Sequence, residues 1–82
     1  SAAEYTVYFQ QGTNTASLVR MLAPLRAAVP KVECRYVVLS DEADTMAEAI
    51  NSTNALNAGV EELPSLVISD ERGAYAAIPL PR

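Results

Sequence analysis

A proline at the mouth of an apolar run, Leu63-Pro64-Ser65-Leu66-Val67-Ile68, is the feature that most narrows what this chain can fold into. Proline has no amide hydrogen, so within a sheet it is confined to the first residue of a strand, an edge or a bulge. Gly59 lies just upstream and Asp70-Glu71-Arg72-Gly73 just downstream. The stretch from Gly59 to Tyr75 therefore reads as a helix end in the left-handed conformation, a short acidic loop, a strand, a tight turn with glycine at positive φ, and a returning strand.

The preceding residues supply the elements that this stretch must pack against. Glu4 to Phe9 places Tyr5, Val7 and Phe9 on one face and Thr6 and Tyr8 on the other, all β-formers, as expected of a central strand covered on both sides. After a polar loop from Gln10 to Thr15, Leu18, Met21, Leu22, Leu25, Ala28 and Val29 recur at helical spacing. This predicts a helix of about thirteen residues, kinked or weakened by about 3 kcal/mol at Pro24 and ended by Pro30. Val32 to Leu39 reads as an edge strand, partly solvated at its start and buried at its end.

Ser40 and Asp41 are candidate caps for a second helix with Glu42 and Asp44 in its first turn and Ala43, Met46, Ala47 and Ile50 on its apolar side. Asn51-Ser52-Thr53-Asn54 weakens that helix before it resumes through Ala55, Leu56 and Ala58. Leu66 to Ile68 is the third strand and Ala74 to Ile78 the fourth.

This β-α-β-α-β-β order, with a proline opening the third strand and Asp plus Gly turning it into the fourth, resembles the thioredoxin/glutaredoxin superfamily. The resemblance covers nearly the whole chain. It implies an α/β fold, a mixed four-stranded sheet in the order 4-3-1-2 with strand three antiparallel to the rest, and a cis peptide at Leu63-Pro64. Family members add a last helix beside the first. Ile78-Pro79-Leu80-Pro81-Arg82 cannot form one, because two prolines remove donors and restrict their neighbours. Residues 1–82 are thus read as a single domain, complete or a piece of a longer chain. Leu66, Val67, Ile68, Ala74, Ala76 and Ile78 are expected to leave an apolar face bare on strands three and four, available to a second copy or another protein partner. The alternative is that the tail folds back over that face.

Active members of the family place Cys-x-x-Cys where the first strand meets the first helix. Here Thr13 and Ala16, or Asn14 and Ser17, stand at those positions, depending on register, and neither pair carries sulfur. The one cysteine, Cys34, lies in mid-strand, where a small buried hydrophobe is the expected role. It excludes an internal disulfide and gives no sign of an oxidising compartment, which slightly favours the cytoplasm and leaves export of a larger parent protein open.

Histidine is absent, which removes Ser-His and Cys-His nucleophilic catalysis and histidine metal sites. Asp41-Glu42-Ala43-Asp44 spells a helicase motif with no phosphate-binding glycine loop to accompany it, and is read as a solvated helix start. Six basic residues are scattered against ten acidic ones, a net charge of -4, which opposes nucleic acid as a partner. The longest apolar runs are far shorter than the roughly twenty residues that span a bilayer.

The resemblance therefore points to the loop around Gly12, Thr13, Asn14 and Ser17 meeting Leu63, Pro64 and Ser65, with the backbone of Leu63 pairing with a ligand. A redox-inactive module for protein binding or architecture, without cofactor or catalytic residues, is the leading expectation. The chain also resembles the N-terminal domain of glutathione transferases, in which a hydroxyl such as that of Thr13 or Ser17 would stabilise the glutathione thiolate. Against this, the Glu-Ser pair of that family after strand four is absent. A third resemblance is to the partner-switching clock protein KaiB, through the polar loop Gly12-Thr13-Asn14-Thr15-Ala16-Ser17.

Overall fold

The computed structural model describes residues 2–82. The elements follow in the order β1 (Ala2–Gln10), α1 (Thr15–Ala28), β2 (Glu33–Leu39), α2 (Met46–Asn57), β3 (Ser65–Asp70) and β4 (Tyr75–Pro79). The sheet order is β2-β1-β3-β4, with β1 and β2 parallel, β1 and β3 antiparallel, and β3 and β4 antiparallel. This is the expected 4-3-1-2 order, and Leu63-Pro64 is cis. A parallel pair cannot be joined by a hairpin, so the β1 to β2 connection needs a crossover, which α1 supplies.

Alternation along β1 creates two cores. Tyr5, Val7 and Phe9 meet Leu18 and Leu22 of α1 and Leu66 of β3 on one face. Tyr8 meets Ala55, Ala58 and Val67 on the face that carries α2. Val7 at the centre is wholly buried. At about 25 cal/mol per Å2 of apolar area, each large side chain buried this way contributes about 1.5–3 kcal/mol.

α1 begins at an Asn14 cap, whose Oδ1 accepts the Ala16 N–H at 3.0 Å. Leu18, Leu22, Leu25 and Val29 then form one apolar stripe against the sheet. Pro24 lies on the exposed side of α1, and the helix continues through it as one element rather than breaking.

α2 departs from expectation. It starts at Met46 rather than near Asp41, because Thr45 Oγ1 caps it by accepting the Glu48 N–H at 3.2 Å. Thr45-x-x-Glu48 has the spacing of a capping box, and it prevails over Ser40 and Asp41. Residues 41–44 form an exposed loop, not a helix start. Its expected apolar side is also wrong. Met46 is 77% exposed and Ile50 51% exposed, whereas Ala55 and Ala58 are buried against the sheet. The Asn51–Asn54 segment does not interrupt the helix, which runs unbroken to Asn57. Gly59 follows at φ +91°, the left-handed conformation that a side chain would oppose.

β2 is an edge strand as expected, but its end is less covered than the sequence implies. Val38 is exposed, and Val37 and Leu39 are only half-buried.

The apolar face on β3 and β4 is smaller than anticipated. Leu66 and Val67 are buried and Ile68 is half-buried, so the exposed part is confined to Ala74, Tyr75, Ala76 and Ile78 around the β4 edge. The tail folds back. Leu80 donates its N–H to the Pro64 carbonyl at 2.9 Å, and its side chain packs on the α1-side core.

The β3–β4 turn is built on Asp70. Its Oδ1 accepts the N–H groups of Arg72 at 2.8 Å and Ala74 at 3.0 Å, while Gly73 takes φ +85°. These bonds favour the carboxylate and hold Asp70 below its ordinary value, the Ala74 bond contributing most.

Two measurements test this account. Leu18→Ala is expected to cost about 2–5 kcal/mol in urea unfolding, as buried leucine truncations do, whereas Leu56→Ala, at a 73% exposed position, should change stability by less than about 0.5 kcal/mol. Because folding lowers the Asp70 pKa, its stabilising contribution is complete above about pH 5 and is lost as pH falls through the depressed value. Asp70→Asn should therefore lower stability at neutral pH and flatten the fall below about pH 4, so that variant and wild type converge in acid.

Candidate functional site

Gly12 at φ +91° reverses the chain after β1. The loop that follows is tied back onto the strand end: Thr13 donates its N–H and its hydroxyl to the Gln10 carbonyl, at 3.1 and 2.6 Å. Gln10 in turn donates its side-chain amide to Asp41 Oδ1 at 2.9 Å, and Gln11 donates its N–H to the Leu39 carbonyl at 3.0 Å. The loop is thus anchored to both β1 and the end of β2. Asn14 then caps α1, and Ser17 and Met21 follow on successive turns of its side towards Leu63 and Pro64.

These residues meet the cis-proline segment. A groove of about 370 Å3 lies between Thr13, Asn14, Ser17 and Met21 on one side and Leu63 and Pro64 on the other. Pro81 and Arg82 also line it, just beyond the residue that the Leu80 to Pro64 hydrogen bond anchors. Segments almost fifty residues apart in sequence therefore form one concavity. Among the described residues, no backbone group pairs with the N–H or carbonyl of Leu63. One donor and one acceptor of the bend that leads into β3 have no backbone partner, beside an apolar lining of Leu18, Met21 and Pro64.

Five of the seven residues singled out in the sequence line this groove: Thr13, Asn14, Ser17, Leu63 and Pro64. Gly12 shapes the loop without lining it. Ser65 is turned away: it is 1% exposed, and its hydroxyl donates to the Glu62 carbonyl. Sequence reasoning missed Gln10, Leu18, Met21, Pro81 and Arg82 as lining residues. Met21 lies one turn beyond Ser17 on the same helix face, a relation visible in the spacing. The tail residues join only because Leu80 anchors the chain end, which no local pattern announces.

The chemistry available here is recognition by hydrogen bonding and apolar contact. The Thr13 hydroxyl has committed its proton to Gln10, so it has none to give a thiolate. Ser17 is exposed. Cys34 lies in β2 on the α1 face, half-buried and packed against the core, away from the groove. Its neighbour Tyr36 has a shielded hydroxyl without a hydrogen-bond partner, and burial pushes its phenol up, with Cys34 adding to the effect. Among the described residues, no cluster of three or more His, Cys, Asp or Glu is placed to hold a metal ion, and no helix is long and apolar enough to cross a membrane. Compared with protein-family models, curated proteins and solved structures, the chain matches none.

Proposed function

We propose that this chain is a redox-inactive, thioredoxin-like module that binds an extended polypeptide segment across the groove between α1 and Leu63-Pro64. The observation that carries this reading is the unpaired peptide of Leu63 at the edge of an apolar groove. An extended segment laid beside Leu63 gains main-chain hydrogen bonds there, as in strand-addition recognition, while its side chains enter the space lined by Met21, Leu18 and Pro64. The resemblance to the thioredoxin/glutaredoxin superfamily supports the same assignment, because the residue before the cis proline pairs with ligands in that family. Without sulfur at the loop, what remains of the family's chemistry is binding.

A displayed library of unstructured six-residue peptides, selected against the full chain, tests this. The expected result is a set of apolar, extended binders that shift the Leu63 amide resonance. Ser17→Arg and Met21→Glu, both on the exposed rim of the groove, should each weaken binding by about tenfold or more, about 1.4 kcal/mol. Millimolar glutathione should leave the Leu63 amide unmoved. Failure to select binders, or binding that both variants retain, would sink the proposal. A glutathione response lost in Ser17→Ala would favour the transferase-like reading instead.

A second reading, self-association through β4, is favoured by an edge strand that carries Ile78 and Tyr75 exposed at 45% and 61%. An unpaired edge is a template for another strand, and Pro79 limits how far such pairing could extend. Sedimentation at tens of micromolar is expected to show a dimer that Ile78→Lys reduces to monomer. A wild-type monomer under those conditions excludes this reading.

A further inference from the structure

The face of the sheet that carries α2 holds a second concavity, of about 430 Å3, and its lining is unlike that of the first. α2 contributes Asn51, Asn54 and Asn57, three amides at intervals of three residues. Thr6, Ser69 and Tyr75 contribute hydroxyl groups from three different strands. Asparagine is a poor helix former whose side chain competes with the helical backbone, so three along one side of a twelve-residue helix oppose local propensity. The large apolar residues Met46, Ile50 and Leu56 meanwhile point to solvent. The helix packs through Ala55 and Ala58, so the asparagines of the same side border the sheet in place of its larger apolar residues. This arrangement assembles hydrogen-bonding groups in a concave space.

The charges in the cavity narrow the class of ligand. Among the described residues, its charged lining residues are Glu4 and Arg35, which stand 3.8 Å apart and offset each other. An anion would find no uncommitted cation there, and a cation no surplus of carboxylates. The side-chain hydrogen bonds inside the cavity all run to Glu4: Thr6 donates to its carboxylate at 3.4 Å and Ser69 to its carbonyl at 3.5 Å. Among the described residues, none of the three asparagine amides is engaged by a side chain. Each therefore retains one acceptor and two donors, the complement of neighbouring hydroxyls that both give and accept. Burial raises the Tyr8 phenol, keeping that residue a neutral donor in the same cavity. Tyr75, 61% exposed at the rim, offers an aromatic face to a ligand entering from solvent.

We propose that this cavity binds a neutral carbohydrate, a pyranose or short oligosaccharide, whose hydroxyls bond to the amides of Asn51, Asn54 and Asn57 while Tyr75 stacks on its apolar face. The site is separate from the groove at Leu63-Pro64 and does not depend on what that groove binds.

The test is an NMR titration of the full chain with the methyl glycosides of glucose, galactose and mannose and with maltose, cellobiose and lactose, observing the asparagine side-chain amides. Inorganic phosphate serves as the charged comparator. At least one saccharide is expected to shift the resonances of Asn51, Asn54 and Asn57. Asn54→Asp and Tyr75→Ala, both at exposed positions where folding is retained, should each weaken that response by about tenfold or more. Ser17→Arg, in the other groove, should leave it unchanged. Silence towards every saccharide at tens of millimolar overturns the proposal, as does a response that both cavity variants retain or a stronger response to phosphate.

Discussion

β1 is hydrogen-bonded along both edges and covered on both faces, so residues 5–9 are constrained from four directions at once. Its parallel partner β2 requires α1 as a crossover, and its antiparallel partner β3 arrives only after the chain has crossed to the far side of the sheet. Alternation along this one strand decides which helix occupies which layer. Tyr5, Val7 and Phe9 admit the leucines of α1, while Thr6 and Tyr8 leave room only for alanines. Both concavities are consequences: one forms where β1 ends and hands over to α1, the other where α2 stops short of covering Glu4 and Thr6.

Much of the fold was legible because its signals were local and reinforced one another. Pro64, Gly59 and Gly73 each impose a backbone requirement that few other residues meet, and two clear β-α units precede them. The first helix was legible from its leucine stripe. The second was misread at two points. Ser40 and Asp41 are good cap residues taken singly, yet only Thr45 has a glutamate three residues on, and that capping-box spacing is the signal that ranks them. Met46 and Ile50 resemble a buried face by hydrophobicity, whereas the helix turns Ala55 and Ala58 inward. Small side chains carry little hydrophobic signal, so a helix packed through alanine is nearly invisible to periodicity.

The candidate site followed the same division. The loop residues and Leu63-Pro64 were found because the superfamily pattern joins them, and the structure brings five of them to one groove. Ser65 was adjacent in sequence but alternates to the other face, where its hydroxyl serves Glu62. The asparagine row was read only as a source of helix weakness. Its position over the sheet depends on how α2 is rotated, and that rotation is set by the alanines. One misjudged helix face therefore hid a whole polar surface.

The alanine contact has a further consequence for how the two layers respond to change. Ala55 and Ala58 give up no rotamer freedom on burial, so α2 docks at almost no side-chain entropy cost. Space remains beside this contact, because Ala58 lines the concavity on the same face and Ala55 a shallower one of about 260 Å3. On the opposite face, Leu18 and Leu22 fill space that truncation would leave empty. Added volume on the α2 side has open space beside the contact to enter, whereas volume lost on the α1 side is not replaced, so the two layers tolerate opposite kinds of change.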